Sequence, residues 1–226
     1  MLNIIYYPVN IATKEVSSVG LIAEHRGGVL HIPENVLKTK PLPEKEGFSC
    51  IALNDFSGCE YIADFRGKTI YQTESPQKTK KVTELGEIEN GYTLEEPLNY
   101  SIWDGEHWVQ KIELIKTAKK QAVTAWRDQQ ESATDTKVTV DGVTWDANPE
   151  SRTRLTGALS ATNLPDYWTD ADNNDQPITR ETLQKVNDEI TALGFVIHAR
   201  QRQMKKEIEN LTQFDDVENY VIGWAN

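Results

Sequence analysis

TRETLQKVNDEITALGFVIHARQRQMKKEIENL, residues 179–211, decides how the second half of this chain folds. Apolar side chains fall at Leu183, Val186, Ile190, Leu193, Ile197, Met204, Ile208 and Leu211, at steps of three and four interrupted once. Residues spaced this way share one face of an α-helix. Thr179 supplies an N-cap, with Ile178 just outside it as a hydrophobic staple. At about 1.5 Å per residue such a helix reaches on the order of 50 Å. The apolar face is a heptad seam with one position missing, near Arg200 or Gln201. Two ways of burying it stay open: an intramolecular helix pair, or a coiled coil with another chain. The seam from Leu183 to Ile197 is within reach of the chain's own shorter helices. Met204, Ile208 and Leu211, beyond the gap, are expected to remain exposed as a partner-binding surface.

Outward from this helix, the second half supplies its neighbours. Ile112, Ile115, Ala118, Ala122, Val123 and Trp126 recur at helical spacing and predict a helix over 112–131. Val138 to Trp145 alternates around Asp141-Gly142, a hairpin signal. Asn148-Pro149 opens a further helix carrying Leu155 and Leu159, which ends before Pro165. A polar loop is expected from Asp166 to Pro177, and a short closing helix near Asp215 to Glu218.

The first half reads as strands. Ile4–Tyr7 and Val29–Ile32 are short apolar runs, each stopped by proline. Phe48–Leu53 and Cys59–Ala63 flank a turn-rich segment, and Asp104-Gly105-Glu106 separates two aromatic runs. The predicted fold class is therefore α+β. A small all-β domain of hairpins over 1–110 precedes a mainly helical domain over 111–226, with one β-hairpin at 138–145 and the long helix at 179–211.

Composition narrows the function. Of 226 residues, 24 are basic and 35 acidic, a net charge of −11. An acidic chain has no electrostatic reason to track nucleic acid or an anionic membrane. The apolar share is 38%, below the usual value, so modest cores and a surface completed by a partner are expected. No apolar run approaches the roughly 20 residues that span a bilayer. The opening residues lack the basic lead and long apolar core of a signal peptide. Cys50 and Cys59 read as thiols in a reducing cytoplasm, with a disulfide inside one hairpin as the minor alternative.

Motifs for chemistry are missing. Neither a phosphate-binding glycine loop nor a nucleophile elbow occurs, and His25, His31, His107 and His198 are scattered. No cofactor and no metal are expected. One weak calcium-loop-like candidate is Asp170, Asp172, Asn174 and Glu181, at the first, third, fifth and twelfth positions of such a loop. Against it, Asp175 stands where glycine is required, and Pro177 follows. Asp64, Asp104 and Glu106 lie near aromatic residues, as in a sugar-cleaving site, but read better as solvated turn carboxylates. Trp103, Trp108, Tyr61 and Tyr71 either stack on sugar rings or form the core of a small β domain, and the core reading is favoured.

Several segments carry a resemblance. Asp64-Phe65-Arg66-Gly67-Lys68-Thr69-Ile70-Tyr71 resembles the aromatic-flanked R-G segment of phage tail-fibre assembly proteins, departing from it at Phe65, where the family often has His. Leu85-Gly86-Glu87-Ile88 with Gly91-Tyr92-Thr93 and Pro97 resembles their linker. Ile102 to Val109 is similar to their W-D-G-x-x-W repeat. From Trp126-Arg127-Asp128 onward the chain resembles a domain of unknown function common in phage tail proteins. The matching pieces are Val140 to Ala147, Trp168 to Asn173, Val196 to Ala199 and Gly223-Trp224. Residues 1–45 carry no part of the resemblance.

The resemblance implies a non-enzymatic assembly chaperone that binds the tip of a tail fibre and either leaves or stays attached. The implied partner is the phage tail-fibre protein. Self-association through the C-terminal helix and contact with a host surface glycan are further options. The implied location is the host bacterial cytoplasm during assembly, or the virion tail fibre if the protein is retained. Partner-binding residues on this reading are Trp103, Trp108, Tyr71, Met204, Ile208 and Leu211. The alternatives are a structural tail or fibre component of the virion, or a carbohydrate-binding module at the fibre tip.

Overall fold

Prolines, glycines and Asx turns cut the first half of the chain into short strands. In a computed structural model, which describes residues 4–225, the chain divides into two units, Met1–Gln110 and Lys111–Asn226. The first unit carries β1 (Ile5–Pro8), β2 (Leu21–Ile22), β3 (Glu24–Arg26), β4 (Val29–His31), β5 (Val36–Leu37), β6 (Phe48–Ala52), β7 (Cys59–Ala63), β8 (Thr69–Gln72), β9 (Thr79–Lys81), β10 (Tyr92–Thr93), β11 (Ser101–Trp103) and β12 (Trp108–Gln110). The pairing is antiparallel throughout. Sheets β2-β1-β5 and β10-β8-β9 stand beside the hairpins β3–β4, β6–β7 and β11–β12. The segment around Glu15 adds to the free edge of β6: Val16 N–H donates to Cys50 O at 2.9 Å and Ala52 N–H to Lys14 O at 2.8 Å. Gly20 is required by packing, because a Cβ there would lie 2.5 Å from Ile5 Cγ2 and 3.0 Å from Tyr7. Burial in this unit is thin, centred on Leu37, Ala52, Ala63, Ile70 and Trp108.

The second unit carries α1 (Ile112–Ser132), β13 (Lys137–Val140), β14 (Val143–Asp146), α2 (Pro149–Ser160), β15 (Tyr167–Thr169), β16 (Asp175–Pro177), α3 (Arg180–Asn210) and α4 (Phe214–Glu218). The mixed α+β class and the long C-terminal helix are as expected. Both expected caps form: Asn148 Oδ1 accepts from Ser151 N–H at 2.9 Å, and Thr179 Oγ1 from Thr182 N–H at 3.1 Å. Val140 pairs Val143 across Asp141 and Gly142, at φ 50° and 82°. This is the left-handed two-residue turn that suits the twist of a hairpin.

One expected loop is a strand pair instead. Within 166–177, β15 and β16 pair, from Tyr167 with Pro177 to Thr169 with Asp175. Polarity hid them, because the turn is built by side chains. Asp170 Oδ1 accepts from Asp172 N–H at 2.9 Å and Asn174 N–H at 2.8 Å, and Oδ2 accepts from Gln176 Nε2 at 2.9 Å. Ala171 N–H then donates to Thr144 O at 2.9 Å, tying this hairpin to β14.

Helix α3 threads two separate cores. Its first half buries Leu183, Val186 and Ile190 with Val140, Trp145, Ala147 and Leu155. Its second half buries Met204 and Ile208 with Ile115, Val123 and Val217, flanked by Trp126, Leu211 and Phe214. Helix α1 runs antiparallel beside this second half: Lys116 Nζ reaches Glu209 O at 2.8 Å, and Glu131 meets His198 Nε2 at 2.8 Å. Lys116 thereby serves a free carbonyl in the last turn of α3, where a cation is favoured. Arg180 does the same for α2, donating to Leu159 O at 2.6 Å and Ala161 O at 2.7 Å.

Candidate interaction surfaces

The β11–β12 hairpin places two of the expected aromatic residues together. Trp103 pairs directly with Trp108, ring centroids 5.4 Å apart and edge to face. Trp108 is only 4% exposed, and its indole N–H donates to Glu95 O at 2.9 Å. It is an interior residue, which corrects its expected place on a partner-binding surface: a Trp in so small a β unit supplies core area. Trp103 above it is half-buried and Ile102 exposed. The loop between the strands is held by Asp104, whose Oδ1 accepts from Glu106 N–H at 2.9 Å and His107 N–H at 2.8 Å. These N–H groups, His107's foremost, hold the Asp104 carboxyl below its ordinary value. Asp104 is therefore a turn-former. Tyr71 lies on β8 in a different sheet, opposite Thr93 on one side and Thr79 on the other, and is half-buried.

The R-G segment builds an ionic junction that the sequence alone did not reveal. Arg66 Nη2 contacts Glu15 Oε1 at 2.6 Å and Asp64 Oδ2 at 2.7 Å, while Ser49 Oγ donates to Asp64 Oδ2 at 2.8 Å. Arg66 holds the Asp64 carboxyl well below the usual carboxylate range and lowers Glu15 as well. The junction spans 51 residues of sequence between Glu15 and Arg66, a separation at which no local signal operates. Nearby, Cys50 and Cys59 are free thiols, and burial, with the Cys59 thiol beside it, pushes Cys50 up to about 11. A thiol held so strongly in its protonated form is a poor nucleophile at neutral pH.

The larger surface missed in the sequence lies on β1 and β2. Ile5 and Ile22 face each other directly across the strand pair and are 46% and 57% exposed. Ile4, Ile11, Val19 and Leu21 in the same stretch are exposed too. Such a concentration of large apolar side chains in water marks a site of contact. Ile4–Tyr7 reads in sequence as a short apolar strand, and nothing in a single apolar run says which strands keep a bare face.

In the second unit the expected exposed seam is internal. Met204 and Ile208 are fully buried and Leu211 is half-buried against the same core. The gap residue Gln201 is itself buried, so the seam continues through it to Met204. The cover comes from α1 and α4, which pack on the C-terminal half of α3 rather than on its first half. Tyr220 reinforces this closure by donating its hydroxyl to Glu207 Oε2. Burial, with Glu207 beside it, pushes Tyr220 up to about 12, and the Tyr220 hydroxyl lowers Glu207.

The calcium-like residues are not brought together as a loop. Asp170 is buried and engaged by its own hairpin, chiefly by Asn174 N–H, which lowers its pKa. Asp172 and Asn174 are exposed, Asn174 turning its amide Nδ2 as a donor toward the Asp170 carboxylate at 3.5 Å, and Glu181 belongs to α3, 3.6 Å from Lys185. Strand β16 intervenes between the third of these ligand positions and the fourth. Among the described residues, no group of three or more His, Cys, Asp or Glu side chains is placed to hold a metal ion.

The fold and its surfaces thus define an α+β protein of two units, with bare apolar faces as its most distinctive chemistry. Residues 114–221, most of the second unit, match the family model described as "Domain of unknown function (DUF4376)". The chain is similar to a "Tail fiber assembly protein homolog" of Escherichia coli, 32% identical over 135 residues, covering 59% of this chain and 64% of the relative. It is also similar to the "Prophage tail fiber assembly protein homolog TfaE" of Escherichia coli strain K12. That match is 34% identical over 88 residues, covering 38% of this chain and 44% of the relative. The chain therefore spans less than two thirds of the length of either curated relative. No solved structure matches the fold.

Proposed function

We propose that this protein is a non-enzymatic assembly factor for a phage tail fibre, acting in the host bacterial cytoplasm. The observation that carries the reading is the bare apolar face of β1 and β2, where Ile5 and Ile22 lie side by side in water. A fibre chain that has not yet assembled exposes apolar surface of its own, and mutual burial of the two stabilises both. The names of the relatives supply the partner class. The acidic surface, −11 overall, disfavours unspecific capture of nucleic acid. No helix among the described residues is long and apolar enough to cross a membrane. Trp103, half-buried and packed edge to face against its cross-strand neighbour Trp108, and the half-buried Tyr71 of the β8 sheet are further fibre-contacting residues on this reading. Self-association belongs to an exposed face of α3 and not to the Met204–Ile208 seam.

The test is co-expression with a phage tail-fibre protein. Tagged fibre is expected to retain the wild-type chain and to lose the Ile5→Ser/Ile22→Ser double variant, whose melting temperature stays at the wild-type value. A stable double variant that the fibre retains like wild type overturns the reading. A second reading, permanent residence at the fibre tip with glycan contact through Trp103, is favoured by the half-exposed indole on a rigid hairpin. Mass spectrometry of purified particles decides it: absence from them excludes residence.

A further inference from the structure

We infer that the middle of α3 is a self-docking face, on which a second copy of this chain packs antiparallel about a twofold axis at Phe195. The inference deepens the self-association part of the proposed reading. Helix α3 is buried at both ends by different cores, and between them the face opposite the buried Ile197 is bare. Phe195 is 71% exposed and Val196 54%. A ring of this size in water, in mid-helix, is held there by the two cores rather than by any contact of its own.

The surroundings of Phe195 form a receptacle of matching shape. Ala192, Phe195, Val196 and Ala199 stand at i, i+3, i+4 and i+7, the four corners of the hole that receives a knob in helix pairing. All four are on the surface. The two alanines leave the depth that a phenyl ring from another helix needs.

Charge selects the occupant and its direction. Two turns before Phe195 on nearly the same line is Asp188, and two turns after it is Arg202; both are exposed. An antiparallel copy with Phe195 on the axis brings Asp188 opposite Arg202 twice over, because positions 188 and 202 are equidistant from 195. A parallel copy sets Asp188 beside Asp188 and Arg202 beside Arg202. Lys206, one turn further, then meets the uncharged Gln184. Around Phe195 the stripe is thus self-complementary in one direction only, as an isologous twofold contact requires. The like-charged pairs of the same register, Glu181 with Glu209 and Lys185 with Lys205, fall at its ends and flanks, where Glu181 and Glu209 are already paired with Lys185 and Lys120 of their own chain. Antiparallel alignment also opposes the helix dipoles favourably.

Sedimentation velocity of the full chain tests this without any fibre present. The wild-type chain is expected to show a dimer that grows with concentration, as a short helix–helix contact gives. Phe195→Ser and Asp188→Arg are each expected to abolish it. The charge-exchanged double variant Asp188→Arg/Arg202→Asp is expected to restore it. Far-UV circular dichroism confirms that these surface variants fold. A chain that stays monomeric at every concentration overturns the inference. So does a dimer indifferent to Phe195→Ser, or a double variant that fails to recover. A stranger protein as the true occupant appears as the first of these outcomes. Because no fibre is in the experiment, its failure leaves the fibre-assembly reading standing.

Discussion

Truncating Ile208 to alanine separates the two meanings that the Met204–Ile208 segment can have. In the structure Ile208 has no exposed surface and lies among Ile115, Val123, Met204 and Val217, each buried as completely or nearly so. Removing its outer carbons leaves a cavity walled by two helices that cannot both move in, since α1 is also fixed by Lys116 and Lys119 to the ends of α3 and α4. The cost for such a truncation is about 2–5 kcal/mol, and the fixed walls place it near the middle, about 3 kcal/mol. For a unit of this size each kcal/mol lowers the melting temperature by roughly 4 °C, so a fall of roughly 12 °C is expected. Thermal unfolding followed by circular dichroism, with tryptophan fluorescence as a second probe near Trp126, reads it directly. A surface seam awaiting a partner predicts a change within about 0.5 kcal/mol, or roughly 2 °C. A shift that small, in a variant that also loses its partner, refutes the internal assignment. Phe195→Ala provides the contrast when measured at a concentration where the wild-type chain is monomeric, since the ring is exposed in the single chain and its loss is expected to leave the melting temperature within that same narrow range.

Other consequences follow from the caps, the turns and the ionic junction. Asn148→Ala removes the side-chain acceptor for Ser151 N–H and is expected to cost about 1 kcal/mol, measured by urea titration of the intact chain. Asp170→Asn keeps the shape of the β15–β16 turn but halves its acceptor capacity. The oxygen lost is the one serving Gln176 Nε2, since Asn keeps the Oδ1 acceptor for the Asp172 and Asn174 N–H groups. Slower exchange at those two amides than in Asp170→Ala, which removes both acceptors, is expected, with little change at α1. The Arg66 junction gives a pH dependence with a definite sign. Glu15 and Asp64 are both lowered in the folded chain, so their contribution is present above the unfolded carboxylate values near about 4 and is lost as pH falls below them. Arg66→Met is therefore expected to flatten the acid limb of the stability profile. At neutral pH its cost is about 1 kcal/mol or less, because the pairs are partly solvated.

What is legible in the residues alone is mostly local. The helix starts at Asn148 and Thr179, the Asp141-Gly142 hairpin and the aromatic hairpin around Asp104-Gly105 depend on neighbours within a few positions, and all form as read. The β15–β16 pair escapes because its turn is organised by Asp170 and Gln176 side chains, which look in sequence like loop polarity. The burial of Met204 and Ile208 escapes for another reason: period identifies a face but not its cover. Only the fold shows that α1 turns back along the C-terminal half of α3. The missing heptad position is Gln201, a buried polar residue inside a continuous seam, so it separates nothing. Trp108 takes the core place that the aromatic set favours, and only its assignment to a partner-binding surface is corrected. Ile5 and Ile22 are missed because an apolar strand announces burial, and bareness depends on what fails to pack over it.

A fibre-assembly role built on the bare face of β1 and β2 stands or falls on the yield of soluble assembled fibre. The fibre gene is expressed alone, with this chain, and with the Ile5→Ser/Ile22→Ser variant, and the fibre oligomer is quantified by size-exclusion chromatography with light scattering. Abundant oligomer is expected only with the wild-type chain. Equal oligomer in all three contradicts the proposed role.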